Sequence, residues 1–356
     1  MPSISIAMTT CNGAEFLEAQ LHSLSHQTRL PAELIVSDDA STDATKAILS
    51  SFARHAPFPV RFHENDIRIG YRQNFMRAVG FCQSNLIAFC DQDDVWEPHK
   101  LATMERVFDK PDIYLAFHNA TVINRRGWSY GGLYRARLDV EISAPLGRDP
   151  WIVVPGFTQM FRRELTRFSS LHCLSVDVYW PNETQAHDQW FYFLASVLGR
   201  IAFVGEPLVR YRQHGRNAFG WYPDTRSTIE RALLGQHFIR GAIASSKACS
   251  DVLQRMLAQV IALEEERVIS GIGHYDALHR RLLNRLSIYE SKSALTRMKA
   301  LYAFARNGGY SAIHGAARFG WKEFLVDAYV GVPFGRLIRC LSSQSDTKTP
   351  VDEGRA

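Results

Sequence analysis

The sequence predicts an α/β fold: a doubly wound sheet followed by a helical C-terminal extension. Three observations point there. Over the first 125 residues, short apolar runs alternate with amphipathic stretches at a strand–helix spacing. Three of those runs end in polar, reactive residues, Thr9-Thr10-Cys11-Asn12, Ser37-Asp38-Asp39 and Asp91-Gln92-Asp93-Asp94. Beyond about Thr225 the pattern turns helical almost to Leu341.

The elements follow in order. SISIAMTT (3–10) reads as a buried strand, and the Asn12-Gly13 turn leads into a helix with Phe16, Leu17, Leu21 and Leu24 on one face. ELIVSDD (33–39) is a second strand, and the next helix opens around Ser41 and Asp43, both capping types. PVRFHE (59–64) is a third, followed by a polar loop and a helix through Phe75 and Val79. NLIAFCD (85–91) is a fourth, after which Pro98 starts a helix carrying Leu101, Met104, Val107 and Phe108. YLAFHNATVI (114–123) is a fifth, and residues 125–155 are irregular and rich in Gly and Arg. Residues 156–163 and 201–211 read as further strands, with the helix DQWFYFLASVL (188–198) between them. The first five strands suit a parallel sheet, whose ligands bind at the carboxyl ends, so the three polar termini should converge on one edge. The expected domains are 1–224, a helical region 225–342, and a disordered tail 343–356.

Composition bounds the function. The 356 residues are 46% hydrophobic and 22% charged, an ordinary globular balance with a net charge of +5. Between Thr225 and Ser342, 17 Lys and Arg face 9 Asp and Glu. Such an excess suits acidic membrane surfaces, nucleic acid or phosphorylated substrates without choosing among them. The six cysteines show no CxxC spacing and read as thiols in a reducing cytosol. No signal-peptide pattern opens the chain and no run of about 18 apolar residues exists, so the expectation is a protein that is soluble or lies on a membrane. No GxGxxG follows the first strand, where Gly13 stands alone, and no GxxxxGK[ST] occurs. An aspartyl phosphohydrolase would carry its acids after the first strand, and here they follow the fourth. Nucleic-acid binding is not expected, because the C-terminal helices offer a basic patch with exposed aromatics only loosely.

Asp91, Asp93 and Asp94 repel one another, and a divalent cation explains them best. Hard oxygen ligands suit Mg²⁺ or Mn²⁺. The alternative, an exposed acidic turn that caps the next helix, is disfavoured because Phe89-Cys90 and Val95-Trp96-Glu97-Pro98 pin the turn between buried elements.

TTCNG, QLHSLSHQT, ELIVSDDASTDAT and FCDQDDVWEPHKL, in this order and spacing, resemble a family 2 glycosyltransferase with the GT-A fold, nearest to bacterial rhamnosyltransferase-like enzymes of surface polysaccharide synthesis. The resemblance runs from Ser3 to about Gly220 and fades beyond Thr225. It implies a mixed sheet and an inverting transfer of sugar from a nucleoside diphosphate sugar to a hydroxyl of a glycan or lipid-linked saccharide. The alternative is a non-catalytic nucleotide-sugar binder or scaffold of an assembly complex, against which the joint presence of Asp39, Asp91, Asp93 and Asp188 argues. By resemblance Asp93 holds the metal, Asp91 approaches the ribose or the metal-bound diphosphate, and Asp94 is a weaker member of the same shell. Asp39 would accept from the base, with Asp38 as its partner or as a cap for Ser41. Thr9, Cys11 and Asn12 line the nucleotide turn, with Cys11 standing where the family usually has Tyr. Asn65, Gly70 and Asn74 resemble the loop under the nucleoside, where Arg68 or Arg72 meets the base or phosphates or lies on a solvated surface. Asp188 matches the general base, which also suits an N-cap, and His187 ranks second. His214 completes the metal shell or touches the diphosphate, with Arg210, Arg212 and Arg216 as added positive charge. Gly156 would let backbone approach the donor sugar, and Trp151 and Trp180 stack on sugar or pack in the core. The implied cofactor is Mg²⁺ or Mn²⁺, and the implied location is cytoplasmic, with peripheral contact at the inner face of the cell membrane.

Overall fold

The computed structural model describes residues 2–215, 217, 228–291, 293–311 and 320–333. The chain forms two compact units: Met1–Pro145, Val153–Ser170 and Ala186–Gly220 in one, Leu146–Ile152, Leu171–Gln185 and Trp221–Ala356 in the other. By these contacts residues 146–152 and 171–185 join the helical unit, although chain order alone assigns them to the first domain. The expected tail 343–356 and Arg216 lie outside the described residues.

In the first unit β1 (Ile4–Thr10), β2 (Glu33–Asp38), β3 (Val60–Glu64) and β4 (Leu86–Cys90) alternate with α1 (Ala14–Ser25), α2 (Thr45–Ala53) and α3 (Gly70–Phe81). β2 and β4 are buried along their whole length and β1 nearly so, the signature of strands covered on both faces. After β5 (Val95–Trp96) and α4 (Lys100–Val107) come β6 (Ile113–Asn124), β7 (Ser129–Gly132), β8 (Val140–Ser143), β9 (Gln159–Arg162), α5 (His187–Leu198) and β10 (Arg200–Gln213). The main sheet order is β3-β2-β1-β4-β9-β6-β10-β5, with β7 on β6 and β8 on β10. β1 pairs parallel with β2 and β4, whereas β9 is antiparallel to both β4 and β6, and β10 runs parallel to β6. The sheet is therefore mixed. That topology decides where chemistry collects. The carboxyl ends of β1, β2, β4 and β10 lie on one edge, and the inverted β9 begins there, just after the turn Gly156–Thr158.

The second unit is helical, with α6 (Thr228–Met256) packed along α7 (Ala262–Glu290), followed by α8 (Ala294–Arg306) and α9 (Trp321–Val326). The fully buried Asp327 accepts from Arg285 Nε (2.8 Å) and Nη2 (3.1 Å), Tyr310 Oη (2.5 Å) and Tyr289 Oη. A buried carboxylate with every partner in place ties the end of the short helix to α7. Trp151 belongs to this unit: its Nε1 donates to Ser245 Oγ (3.4 Å) and its ring meets Phe238 edge-on. Of its two expected roles the structure gives core packing, and Trp180 packs edge-on against Tyr179 in the same unit.

Candidate active site

At the end of β1 the chain turns through Asn12, whose φ of 50° is a left-handed conformation that Asn tolerates. Its Oδ1 accepts from Thr42 N (2.8 Å) and its own N–H donates to Ser41 Oγ (2.8 Å), which fixes the turn against the loop after β2. Cys11, half-buried, lies on the same turn, and the half-buried Thr9 is the last residue but one of β1. Asp38 is buried and spends its carboxylate on Thr10 Oγ1, Ser41 Oγ and Ser41 N, so it closes the turn after β2 and is not the cap of α2, which starts at Thr45. Asp39 is 5% exposed and accepts from Asn65 Nδ2 (3.0 Å), Ile69 N (2.7 Å) and Gly70 N (2.9 Å). It clamps the loop before α3. The expectation for Asn74 is corrected. It is 1% exposed, its Nδ2 donates to Ser37 O and its Oδ1 accepts from Ser37 Oγ and Asn65 Nδ2, so it builds the floor and does not face a ligand. Arg68 is exposed with its charge felt at Cys11, whose thiol burial nonetheless raises above its ordinary range. Arg72 is half-buried, its guanidinium 5.3 Å from the Tyr71 ring centre.

The acid turn after β4 has an internal division of labour. Asp94 is fully buried and its Oδ1 accepts from Arg212 N on β10 (2.9 Å). It pins the turn to a neighbouring strand. Burial pushes its carboxyl well up, with Asp93 and Asp91 adding repulsion. Arg212 is structural too: Nε donates to Asp93 O (2.9 Å), Nη1 to Arg125 O (3.1 Å), and the guanidinium lies over Phe16. Arg210 pairs with Glu97 (2.8 Å) at the surface. Asp91 and Asp93 remain for ligand chemistry. Asp91 is pushed up to about 8, first by burial and then by the charges of Asp93 and Asp188. His214, on Phe16 and just past β10, places Nε2 2.7 Å from Asp93 Oδ2.

Asp188 opens α5 with its Oδ1 accepting from Gln189 N (2.8 Å), and it lies close enough to Asp91 for its charge to be felt there. His187 next to it is 5% exposed, stacked on Phe75 at 3.8 Å between ring centres and edge-on to Phe89. It is a packing residue. Gly156 meets this corner. A Cβ there would lie 2.6 Å from His187 Nε2 and 3.6 Å from Asp188 Cβ, so the close approach that requires glycine is to the start of α5 rather than to a sugar.

Lys100 and Gln92 escaped the sequence reading. Lys100 is 1% exposed, with Nζ donating to Phe157 O (2.8 Å) and lying 3.4 Å from the Trp96 ring centre. Burial drops its ammonium to about 7 against the pull of Cys90, Asp94 and Asp91. A lysine opening a helix two residues after a proline looks solvated in one dimension, and only the fold turns it inward.

A mixed α/β sheet with acids from β4, a histidine from β10 and a carboxylate from α5 at one edge is the architecture of a nucleotide-sugar transferase. Residues 5–168 match the model described as Glycosyl transferase family 2. Residues 5–168 are thus similar to a family 2 glycosyltransferase domain, the class to which the fold and the site also point. An uncharacterized protein of Mycobacterium tuberculosis is 27% identical over 342 residues, 86% of this chain and 94% of that one, so likeness extends past residue 225 into the helical unit, further than the motifs suggest. The dTDP-rhamnosyl transferase RfbG of Shigella flexneri is 26% identical over 262 residues, 66% of this chain and 88% of that one. Among solved structures, TarS residues 1–349 of S. aureus in complex with UDP superposes with a TM-score of 0.50 at 17% identity, over 88% of this chain and 95% of that one. The fold is GT-A-like.

Proposed function

We propose that this chain is an inverting, metal-dependent hexosyl- or deoxyhexosyltransferase, carrying sugar from a nucleoside diphosphate to a hydroxyl of a glycan or lipid-linked saccharide in cell-surface polysaccharide synthesis. The observation that carries the proposal is the meeting of Asp91, Asp93, Asp188 and His214 at one sheet edge. The acids fit a cation: burial first, and then the charges of Asp93 and Asp188, raise the Asp91 carboxyl, a cost that a bound cation would offset. Among the described residues no three His, Cys, Asp or Glu side chains form a ready metal shell. A shell of one or two carboxylates completed by diphosphate oxygens is the usual arrangement for Mg²⁺. Asp93, Asp91 and His214 would hold Mg²⁺ or Mn²⁺, which when bound stabilises the charge of the departing diphosphate.

Thr9 at the end of β1 and the turn through Cys11 and Asn12 support the nucleotide, with Arg68, whose charge reaches Cys11, and Arg72 as its counter-charges. Asp188 takes the proton of the acceptor hydroxyl as its oxygen attacks the anomeric carbon. Its place in the first turn of α5, with Oδ1 accepting from Gln189 N, orients that carboxylate.

The chain belongs at the inner face of the cell membrane. α8 carries no Asp or Glu, and it exposes Leu295, Met298 and Tyr302 (56, 53 and 66%) beside Lys299 and Arg306. A basic, apolar helix face of this kind suits an anionic lipid surface. Among the described residues no helix is long and apolar enough to cross a membrane.

Thermal denaturation tests the site. Mn²⁺ or Mg²⁺ with one of UDP, dTDP, GDP or CDP should raise the melting temperature, and Asp93→Asn should abolish the metal-dependent part. An equal shift in wild type and variant would contradict the assignment.

A further inference from the structure

β1 and β4 pair in register only as far as Met8 and Cys90, whereas β1 continues against β2 to Thr10. Past that last rung one side chain spans the gap. The Gln92 Oε1 accepts from the Cys11 N–H at 2.9 Å and the Gln92 Nε2 donates to the Cys11 carbonyl at 3.2 Å. The amide thus meets both backbone groups of one residue, as a neighbouring strand would. Gly13 makes the reach possible. A Cβ at that position would lie 2.1 Å from Gln92 Oε1 and 2.4 Å from its Cδ. The Gly13 φ of −97° is open to any residue, so position 13 requires room, not backbone freedom.

The turn that carries the acids is held on its far side by Asp94 and Arg212, both tied to β10. Toward the nucleotide turn of β1 its tie is the Gln92 amide. Asp91 and Asp93 flank Gln92 in the chain, so the place where its amide docks sets where both carboxylates stand. We propose that Gln92 is a positioning residue of the transfer site: its amide, docked on Cys11 in the space that Gly13 leaves, holds Asp91 and Asp93 in register with the nucleotide turn. The inference rests on the functional reading above. A neutral amide is the chemistry the place needs. A glutamate would lose the donor to the Cys11 carbonyl and add a further negative charge between two carboxylates.

Two substitutions reach the same state by different routes. Gln92→Ala removes the amide, and Gly13→Ala fills its berth, from which the end of a flexible side chain swings away at little cost to the fold. The readout is the Mn²⁺ concentration giving half of the metal-dependent thermal shift, at saturating levels of whichever of UDP, dTDP, GDP or CDP shifts the wild type most. Both variants should melt near the wild type without ligand and need roughly 10–100-fold more Mn²⁺, the usual cost of losing a group that orients a metal ligand. The double variant should be no worse than either single one, because both remove one contact. Wild-type Mn²⁺ dependence in both variants, or losses that multiply in the double variant, would overturn the positioning role while leaving the transferase reading intact. A wild type with no metal or nucleotide response would overturn that reading and the positioning role with it. Should Gln92→Ala fail to fold, Gly13→Ala alone decides by the same titration.

Discussion

Asp91 is the residue whose titration reports the site before any ligand arrives. Its folded pKa is about 8, above the unfolded value of about 3.9, so between those limits the folded chain holds a proton that the unfolded chain releases. The associated stability is full at low pH and is lost as pH rises through the folded value. Lys100, lowered to about 7, works in the opposite sense only from there upward. The melting temperature of the metal-free protein should therefore fall from about pH 5 to about pH 7 with a component that disappears in Asp91→Asn. A slope unchanged by the substitution would place Asp91 in an ordinary solvated setting. The acid cluster was legible in the sequence, because four adjacent letters carry it. Its division of labour was not, since Asp94 is committed by Arg212, 118 residues away. Asn74 misleads for the same reason: its partner on β2 is assigned only by the fold.

At the scale of elements, β1 to β4, the helices between them, α4 and β6 were readable from periodicity, and so was α5, whereas the two-residue β5 was not. The inversion of β9 was not, because a four-residue strand carries no sign of its direction and its placement depends on β4 and β6. That inversion brings the Gly156–Thr158 turn to the acid edge, where Lys100 at the start of α4 grips the Phe157 carbonyl. Lys100→Met should remove this grip and the buried positive charge that faces Asp91 and Asp94, and cost about 1–3 kcal/mol in chemical denaturation. Stability equal to the wild type would show that the grip is incidental.

For the whole molecule, the helical unit was legible as helix but not in its boundaries, since 146–152 and 171–185 join it by packing that no composition shift announces. Its α8 face predicts that the full chain sediments with vesicles containing anionic lipid at low salt and is released as salt rises, with Leu295→Glu and Tyr302→Glu together abolishing the effect. Equal behaviour with neutral vesicles would make the face a protein contact or a covered surface. The central claim, that the sheet edge transfers sugar with Asp188 as the base, is tested most directly by metal-dependent release of nucleoside diphosphate. The wild type, Asp188→Asn and His187→Ala would each be given a panel of nucleoside diphosphate sugars and a lipid extract of bacterial membranes. The wild type should release nucleotide and form a product of inverted anomeric configuration. Asp188→Asn should lose roughly 10²–10⁴-fold in rate while keeping its nucleotide-induced thermal shift, and His187→Ala should keep most of the activity. Normal turnover by Asp188→Asn, retained configuration in the product, or nucleotide binding without turnover of any donor by the wild type would contradict the account.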